Sequence, residues 1–412
     1  MNILSKVFGL KSKNNLLALD IGTESVKALI FSFDNKEEKV VICGAGKKGH
    51  RLEDIHGGII FNVDGVVETC KSAIKEAEEM AKIKPSKAIV SMGGEHVKNI
   101  TRTSSFDREN SKAKINLAEL EDLISESQKK ISSAAEKSLN SDRWKEKKLI
   151  GADIVDFSID GYRVINPVNF KGKNIRISVS NSYITGEQFK LVGKILVKLD
   201  LGLANISYGP YAVLKAIGAQ DIMDFNALFI DVGGGMTDVV VVRNRNIGDS
   251  RLFIFGGKAF TKSIANEFKV SFSEAEEIKL DYSHDKIAEN IKERVEKIIR
   301  SDCDVWSSGI ELSLEELSKN DLLPSKIFLY GGGSQLPQIR TSLERSLRIN
   351  KFSFSDKPEI NFISPEDIIN AKDMTQSAGS TQYVTALSLA NLSLDLANEE
   401  DFPNKILKKC YL

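Results

Sequence analysis

Apolar positions change rhythm along this 412-residue chain, and the rhythm sorts it into strands and helices. From Leu16 to Phe33 an alternating apolar pattern is broken by Asp20-Ile21-Gly22-Thr23. A period of two interrupted by a glycine turn predicts a hairpin. Val66, Val67, Cys70, Ile74, Ala77 and Met80 recur at helical spacing over 64–82, and Pro85 closes that helix before a strand, Ala88 to Met92. The stretch from Glu95 to Ser180 has a strand-like start, a charged helix from about Leu117 to Leu139, and strands Leu149–Ile159 and Asn174–Ser180. Helices Glu187–Leu199 and Tyr211–Ile217 then lead to strand Ala227–Ile230, a glycine-rich turn and strand Val239–Val242. Residues 258–320 read as helical and charged, and strand Ile327–Tyr330 runs into Gly331-Gly332-Gly333.

This order predicts an α/β fold of two lobes. A first lobe covers 14–93, an inserted small α+β domain (strand-helix-strand-strand) covers 94–180, and 181–225 returns to the first lobe through a connecting helix. The second lobe takes 226–257, a helical nucleotide or partner subdomain takes 258–322, the second lobe resumes over 323–392, and 393–412 is a loose tail. Residues 1–13 stand apart, because Ile3, Leu4, Val7 and Phe8 fall on one helical face and Lys6, Lys11 and Lys13 lie outside it. Two strand–turn–strand units with an aspartate at each turn, about 210 residues apart, imply two related halves.

Composition narrows the class. Hydrophobic residues make up 42% of the chain, enough for a large core, while 57 basic and 57 acidic residues leave no net field to attract nucleic acid or an anionic membrane from a distance. Membrane contact therefore has to come from a local segment. Cys43, Cys70, Cys303 and Cys410 form neither a CxxC pair nor a disulfide framework, which favours a reducing, cytoplasmic setting. No run of eighteen apolar residues suggests a membrane span.

The turns carry the chemistry. Glycine lets a phosphate approach backbone N–H groups that a Cβ would shield. The first turn offers Gly22 and Thr23, and the second, Asp231-Val232-Gly233-Gly234-Gly235, is followed by Thr237. Opposed across a cleft, two such turns can cradle a polyphosphate, and Asp20, Asp231 and Asp238 supply hard oxygen ligands suited to hydrated Mg2+. The implied ligand is a nucleoside triphosphate, although no GxxxxGK[ST] loop is present. His50, His56, His96 and His284 have no metal-ligand spacing and read as surface or loop residues. GKKGHR, residues 46–51, is a solvated turn or a basic binding loop.

LALDIGTESVKALIF, IDVGGGMTDVVVV and IFLYGGGSQLPQI, in that order, resemble the two phosphate segments and the adenosine segment of the actin, heat-shock chaperone and sugar-kinase superfamily. The resemblance implies an actin-like two-lobed ATPase fold. It implies that Lys27 neutralises β- or γ-phosphate charge, that Gly331, Gly332, Gly333 and Ser334 pass close to the nucleobase, and that Glu276 and Lys279 of SFSEAEEIK frame adenine and ribose. Met236 stands where bacterial members usually have threonine. Within the superfamily, KLIGADIVDFSIDGYRVINPVNFKGKNIRISVSNSYIT, IFGGKAFTKSIANEF and the SQLP after the glycines are similar to the cell-division FtsA family. The pilus-assembly PilM family shares the inserted domain and gives the alternative, a cytoplasmic ATP-binding part of a type IV pilus or secretion platform.

The FtsA resemblance implies a membrane-associated, self-assembling ATP-binding protein of septum formation that links FtsZ filaments to the inner face of the cell membrane. FtsZ would dock near the helical subdomain, and the chain would form homo-oligomers or filaments. The tail, PNKILKKCYL, is short for an anchor, so the amphipathic N-terminus is the expected membrane contact. In the connecting helix the superfamily usually places a glutamine or glutamate that orients the attacking water, and Gly209 of ISYGPYAVL takes that place. No catalytic residue is assigned, and at most a weak, slow ATPase is expected.

Overall fold

Strands β1 (Leu16–Ile21), β2 (Ser25–Asp34) and β3 (Lys39–Gly49) form an antiparallel meander, as the first alternating stretch requires. They belong to a computed structural model that describes residues 16–397, apart from 35, 93, 220, 221, 223, 320, 350 and 351, together with Leu407. The 1–13 leader and, of the expected 393–412 tail, residues 398–406 and 408–412 lie outside the described residues.

A short hairpin, β4 (Ile55–His56) and β5 (Ile59–Ile60), precedes helix α1 (Val63–Ala81), which Asn62 caps by accepting a hydrogen bond from the Gly65 amide. The helix lies flush on β3, because a Cβ on Gly46 would come within 2.0 Å of the Ala73 carbonyl oxygen. Only glycine permits that approach. Strand β6 (Lys87–Met92) follows and runs parallel to β1.

The insertion leaves on β7 (Val97–Asp107), continues through α2 (Leu117–Ser138), β8 (Lys148–Ile159) and β9 (Tyr162–Val164), and returns on β10 (Asn174–Ile184). Its sheet has the order β7-β10-β8-β9. β10 runs antiparallel to β7 throughout, so Val97 at the entry pairs with Ile184 at the exit. The three-residue β9 was not expected from the sequence. The unit has its own core, in which Leu120, Ile124 and Ile131 of α2 face Ile175, Ile177 and Val179 of β10 and include the buried Leu407.

The chain re-enters the first lobe through α3 (Gly186–Lys198), β11 (Gly202–Tyr208) and α4 (Gly209–Ala216). The second lobe repeats the opening pattern, with an antiparallel meander of β12 (Ala227–Val232), β13 (Thr237–Arg243) and β14 (Asn246–Phe253). Helices α5 (Gly257–Phe268), α6 (Phe272–Ser283) and α7 (Glu289–Leu317) cross over to β15 (Lys326–Tyr330), parallel to β12, and α8 (Pro337–Ile349) leads on to β16 (Glu359–Phe362).

The two large sheets have matching orders. With β17 (Ala371–Asp373) at its edge, the first is β11-β6-β1-β2-β3-β17 and the second is β14-β13-β12-β15-β16. Alternation along β12 decides which core each residue joins. Leu228, Ile230 and Val232 pack with α5 to α8, while Ala227 and Phe229 face the core shared with the first lobe.

The expected return of 323–392 to the second lobe ends early. β17 pairs with β3, and α9 (Val384–Ala397) buries Val384, Leu387, Leu389 and Ala390 in the first lobe's core. Helix α9 is buried on several sides, so the amphipathic stripe that would mark it in sequence is missing and the first lobe's claim on it is hidden.

Candidate nucleotide cleft

A cavity of about 440 Å3 opens between the two lobes. The hairpin register builds both of its walls the same way. Asp20 and Lys27 are cross-strand partners on β1 and β2, and Asp231 and Asp238 are cross-strand partners on β12 and β13. A seven-residue spacing around a turn thus puts each pair side by side, and all four residues line the cavity.

On the first wall, Lys27 Nζ lies 3.5 Å from Asp20 Oδ2, and the Ser91 hydroxyl donates to Asp20 Oδ1. On the second wall two carboxylates face each other in a buried setting. Directly opposed like charges are unfavourable, and burial disfavours the ionised form. Burial, Asp238 and Asp20 push Asp231 up to about 7. Burial also raises Asp238, to about 6, against the relief given by the Tyr208 hydroxyl, which donates to Asp238 Oδ2 at 2.9 Å.

The two turns touch. The Gly235 amide donates to Thr23 Oγ1 at 2.8 Å, and Lys258 Nζ donates to the Thr23 carbonyl at 3.0 Å. Helix α6 begins with a capping box between Ser271 and Glu274, which fixes where Glu276 and Lys279 emerge one turn later on a shared face. Lys279 Nζ contacts Glu276 Oε2 at 2.7 Å, Thr261 Oγ1 at 2.8 Å and the Gly257 carbonyl at 3.2 Å. At the end of β15, Gly331 has φ +87, and a Cβ there would fall 2.2 Å from Asp231 Oδ1. The glycine run is what allows the third segment to pass against the second turn. Ser334 donates to the Gly331 carbonyl at 2.7 Å and is 2% exposed, so its hydroxyl serves that turn.

The cavity brings together Asp20, Gly22, Thr23, Lys27, Asp231, Gly233, Gly234, Asp238, Glu276, Lys279 and Gly331 to Gly333. It does not include Gly235 or Thr237. Thr237 is fully buried, donating to the Phe255 carbonyl at 2.8 Å and accepting from Trp306 Nε1 at 3.0 Å. Among the described residues no cluster of three or more His, Cys, Asp or Glu is arranged to chelate an ion by itself.

Several lining residues escaped the sequence reading, among them Ser91 and Gln382, while Lys47 was reached only as part of a possible basic binding loop. Ser91 is the register neighbour of Asp20 on β6, a relationship visible only once the sheet order is known. Lys47 belongs to the GKKGHR stretch, which turns out to be the end of a strand. His284, read as an ordinary loop residue, also lines the cavity. Gly209 lines it at the start of α4.

A sequence model described as "Cell division protein FtsA" matches residues 228–388. FtsA of Neisseria meningitidis serogroup B is 27% identical over 267 residues, covering 64% of this chain and 60% of that protein. FtsA of Streptococcus pneumoniae is 28% identical over 339 residues, covering 77% of this chain and 70% of that one. The chain is similar to FtsA over these stretches. It spans less than two thirds of the Neisseria protein's length.

Solved structures extend the likeness beyond the segment that the FtsA model matches. A chain of the PilM-PilN type IV pilus biogenesis complex superposes with a TM-score of 0.63 at 19% identity, covering 92% of this chain and 98% of its own. The ethanolamine utilization protein EutJ from Carboxydothermus hydrogenoformans gives 0.50 at 14% identity, covering 91% and 88%. The fold is therefore the actin-like one, two lobes around a cleft, carrying a small α+β insertion. No helix among the described residues is long and apolar enough to cross a membrane.

Proposed function

We propose that this FtsA relative is an ATP-binding, actin-like cell-division protein that links FtsZ filaments to the cytoplasmic membrane, self-assembles, and hydrolyses ATP slowly. The observation that carries the nucleotide reading is the pair of hairpin registers, Asp20 with Lys27 and Asp231 with Asp238, opposed across one cavity beside glycine turns. Gly22, Thr23, Gly233 and Gly234 give the phosphates close access to backbone and hydroxyl donors, and Lys27 takes up their charge. Glu276 and Lys279 hold the nucleoside side, with Gly331 to Gly333 under the base.

The acid set suits a hydrated divalent cation. Asp231 and Asp238 are buried opposite each other with raised pKa values, so the pair carries either a proton or a neighbouring positive charge. Mg2+ held there through water with Asp20 would neutralise phosphate charge. Gly209 supports slow turnover, because glycine can neither accept a proton nor orient a water, and the nearby Tyr208 hydroxyl is committed to Asp238. ATP then acts as a brace between lobes, biasing assembly by occupancy.

The membrane link rests on the 1–13 segment and the partner on the FtsA relationship. The experiment is a vesicle pelleting assay with purified FtsZ, anionic lipid and ATP, comparing the full chain with a variant lacking residues 1–13. ATP-dependent recruitment of FtsZ that the deletion abolishes supports the whole reading. ATP binding without FtsZ recruitment moves the protein to the pilus-platform alternative. Absence of ATP binding overturns the reading of the cleft.

A further inference from the structure

Strands β2 and β3 place Lys27 and Lys47 directly opposite each other as cross-strand partners, and both line the cleft. Like charges in directly opposed positions destabilise a sheet, so a lysine pair there calls for a compensating partner. Lys27 has one, the Asp20 carboxylate at 3.5 Å. The Lys47 ammonium instead donates to Oε1 of Gln382, a neutral amide, at 2.6 Å, and it forms no ion pair among the described residues. Lys47 is exposed at the cavity wall, and desolvation of its ammonium and the Lys27 charge press its pKa down against the pull of Glu24 and Glu276.

Gln382 lines the cleft against the glycine turn that follows β15. A Cβ on Gly332 would sit 3.6 Å from the Gln382 Cβ, and the neighbouring Thr381 hydroxyl donates to the Gly331 carbonyl at 3.1 Å. The Lys47 to Gln382 hydrogen bond therefore ties strand β3 to the segment packed on the glycine turn, at the wall of the cavity. A flexible four-carbon stem carries the ammonium, and a neutral acceptor holds it less firmly than a carboxylate would.

We propose that Lys47 is a second phosphate-binding cation of the cleft, parked on Gln382 until a nucleoside polyphosphate enters and then transferred to its phosphate chain. The proposal rests on the nucleotide reading of the cavity and adds a specificity to it: Lys47 reads the number of phosphates and is indifferent to the nucleoside. A polyphosphate would relieve the Lys27 to Lys47 repulsion that the free protein carries, and a monophosphate would do so only weakly.

The test is calorimetric titration of the full chain with ATP, ADP and AMP in magnesium buffer, for wild type, Lys47→Gln, Lys47→Arg and Gln382→Leu. Lys47→Gln should weaken ATP about tenfold or more, the scale of one charge-assisted contact, and ADP less, while AMP changes less than about twofold. Lys47→Arg and Gln382→Leu should each stay within about threefold of wild type for ATP, because the cation remains available. Wild-type ATP affinity in a folded Lys47→Gln protein would overturn the proposal, as would an equal loss for ATP and AMP. If Lys47→Gln does not fold, Lys47→Met against Lys47→Arg makes the same comparison. A wild-type chain that binds none of the three nucleotides would overturn the cleft reading and this proposal together.

Discussion

The amide of Gly235 donates to Thr23 Oγ1 at 2.8 Å, joining two turns that lie 212 residues apart in sequence. The contact uses the hydroxyl oxygen as an acceptor, so the hydroxyl proton stays available for a phosphate oxygen entering between the turns. Thr23→Val keeps the shape and removes both capacities. Titration should show weaker ATP binding, and a melting curve without ligand should show a loss of about 1 kcal/mol, the usual net value of one hydrogen bond.

Thr237 separates fold from site. Its hydroxyl bonds both the Phe255 carbonyl and Trp306 Nε1, and Trp306 is fully buried. Thr237→Val leaves two buried polar groups without partners, each costing about 1–3 kcal/mol. Urea unfolding should report a large drop in stability, while ATP affinity of the folded fraction stays close to wild type.

Gly209 gives a gain-of-function test. A Cβ there would lie 3.3 Å from Thr385 Cγ2, tight enough that the neighbour has to yield. Gly209→Gln combined with Thr385→Ser should accommodate the amide and raise phosphate release above the wild-type rate at saturating ATP. An unchanged rate, with ATP binding retained, would show that the missing amide does not limit turnover.

The pH dependence of the ligand-free protein has two opposing parts. Burial, reinforced by Lys258, pushes His50 down to about 4 from its usual 6.5. The unfolded chain then binds the extra proton, so His50 contributes stability that is complete above pH 6.5 and is lost as pH falls through 4. Asp231 has the opposite sign: with its folded value near 7 against 3.8, its contribution is complete below pH 3.8 and lost as pH rises through 7. Melting temperatures across pH 4 to 7, measured with chelator present, should lose acid sensitivity in His50→Gln and gain it in Asp231→Asn.

The sequence showed the hairpins, α1, β6 and the glycine turns because each couples a strict apolar rhythm to a residue with a backbone task, such as Gly22 or Gly331. Lys27 came with the resemblance of LALDIGTESVKALIF to the superfamily's first phosphate segment, and the β1–β2 register sets it beside Asp20. What it hid is set by long-range pairing. KVVICGAGKKG received no strand assignment because Gly44 and Gly46 weaken the alternation, yet those glycines are what let α1 seat on β3. With β3 unassigned, Lys47 could not be placed beside Lys27, and Ser91 could not be placed beside Asp20 until β6 was known to run next to β1. The α9 segment lacks a polar face because the first lobe's sheet and helix α4 both cover it, so periodicity gave no sign of which lobe it joins.

The insertion departs and returns on neighbouring strands, with Val97 opposite Ile184. Its two ends are therefore a fixed strand spacing apart, whatever lies between them. A gene encoding this protein can exchange the 97–184 cassette for another that starts and finishes on one ladder, and the cleft receives the same two attachment points. A replacement would also have to supply the acceptors that Asp153 gives the Tyr211 hydroxyl and the Val155 carbonyl gives Arg245.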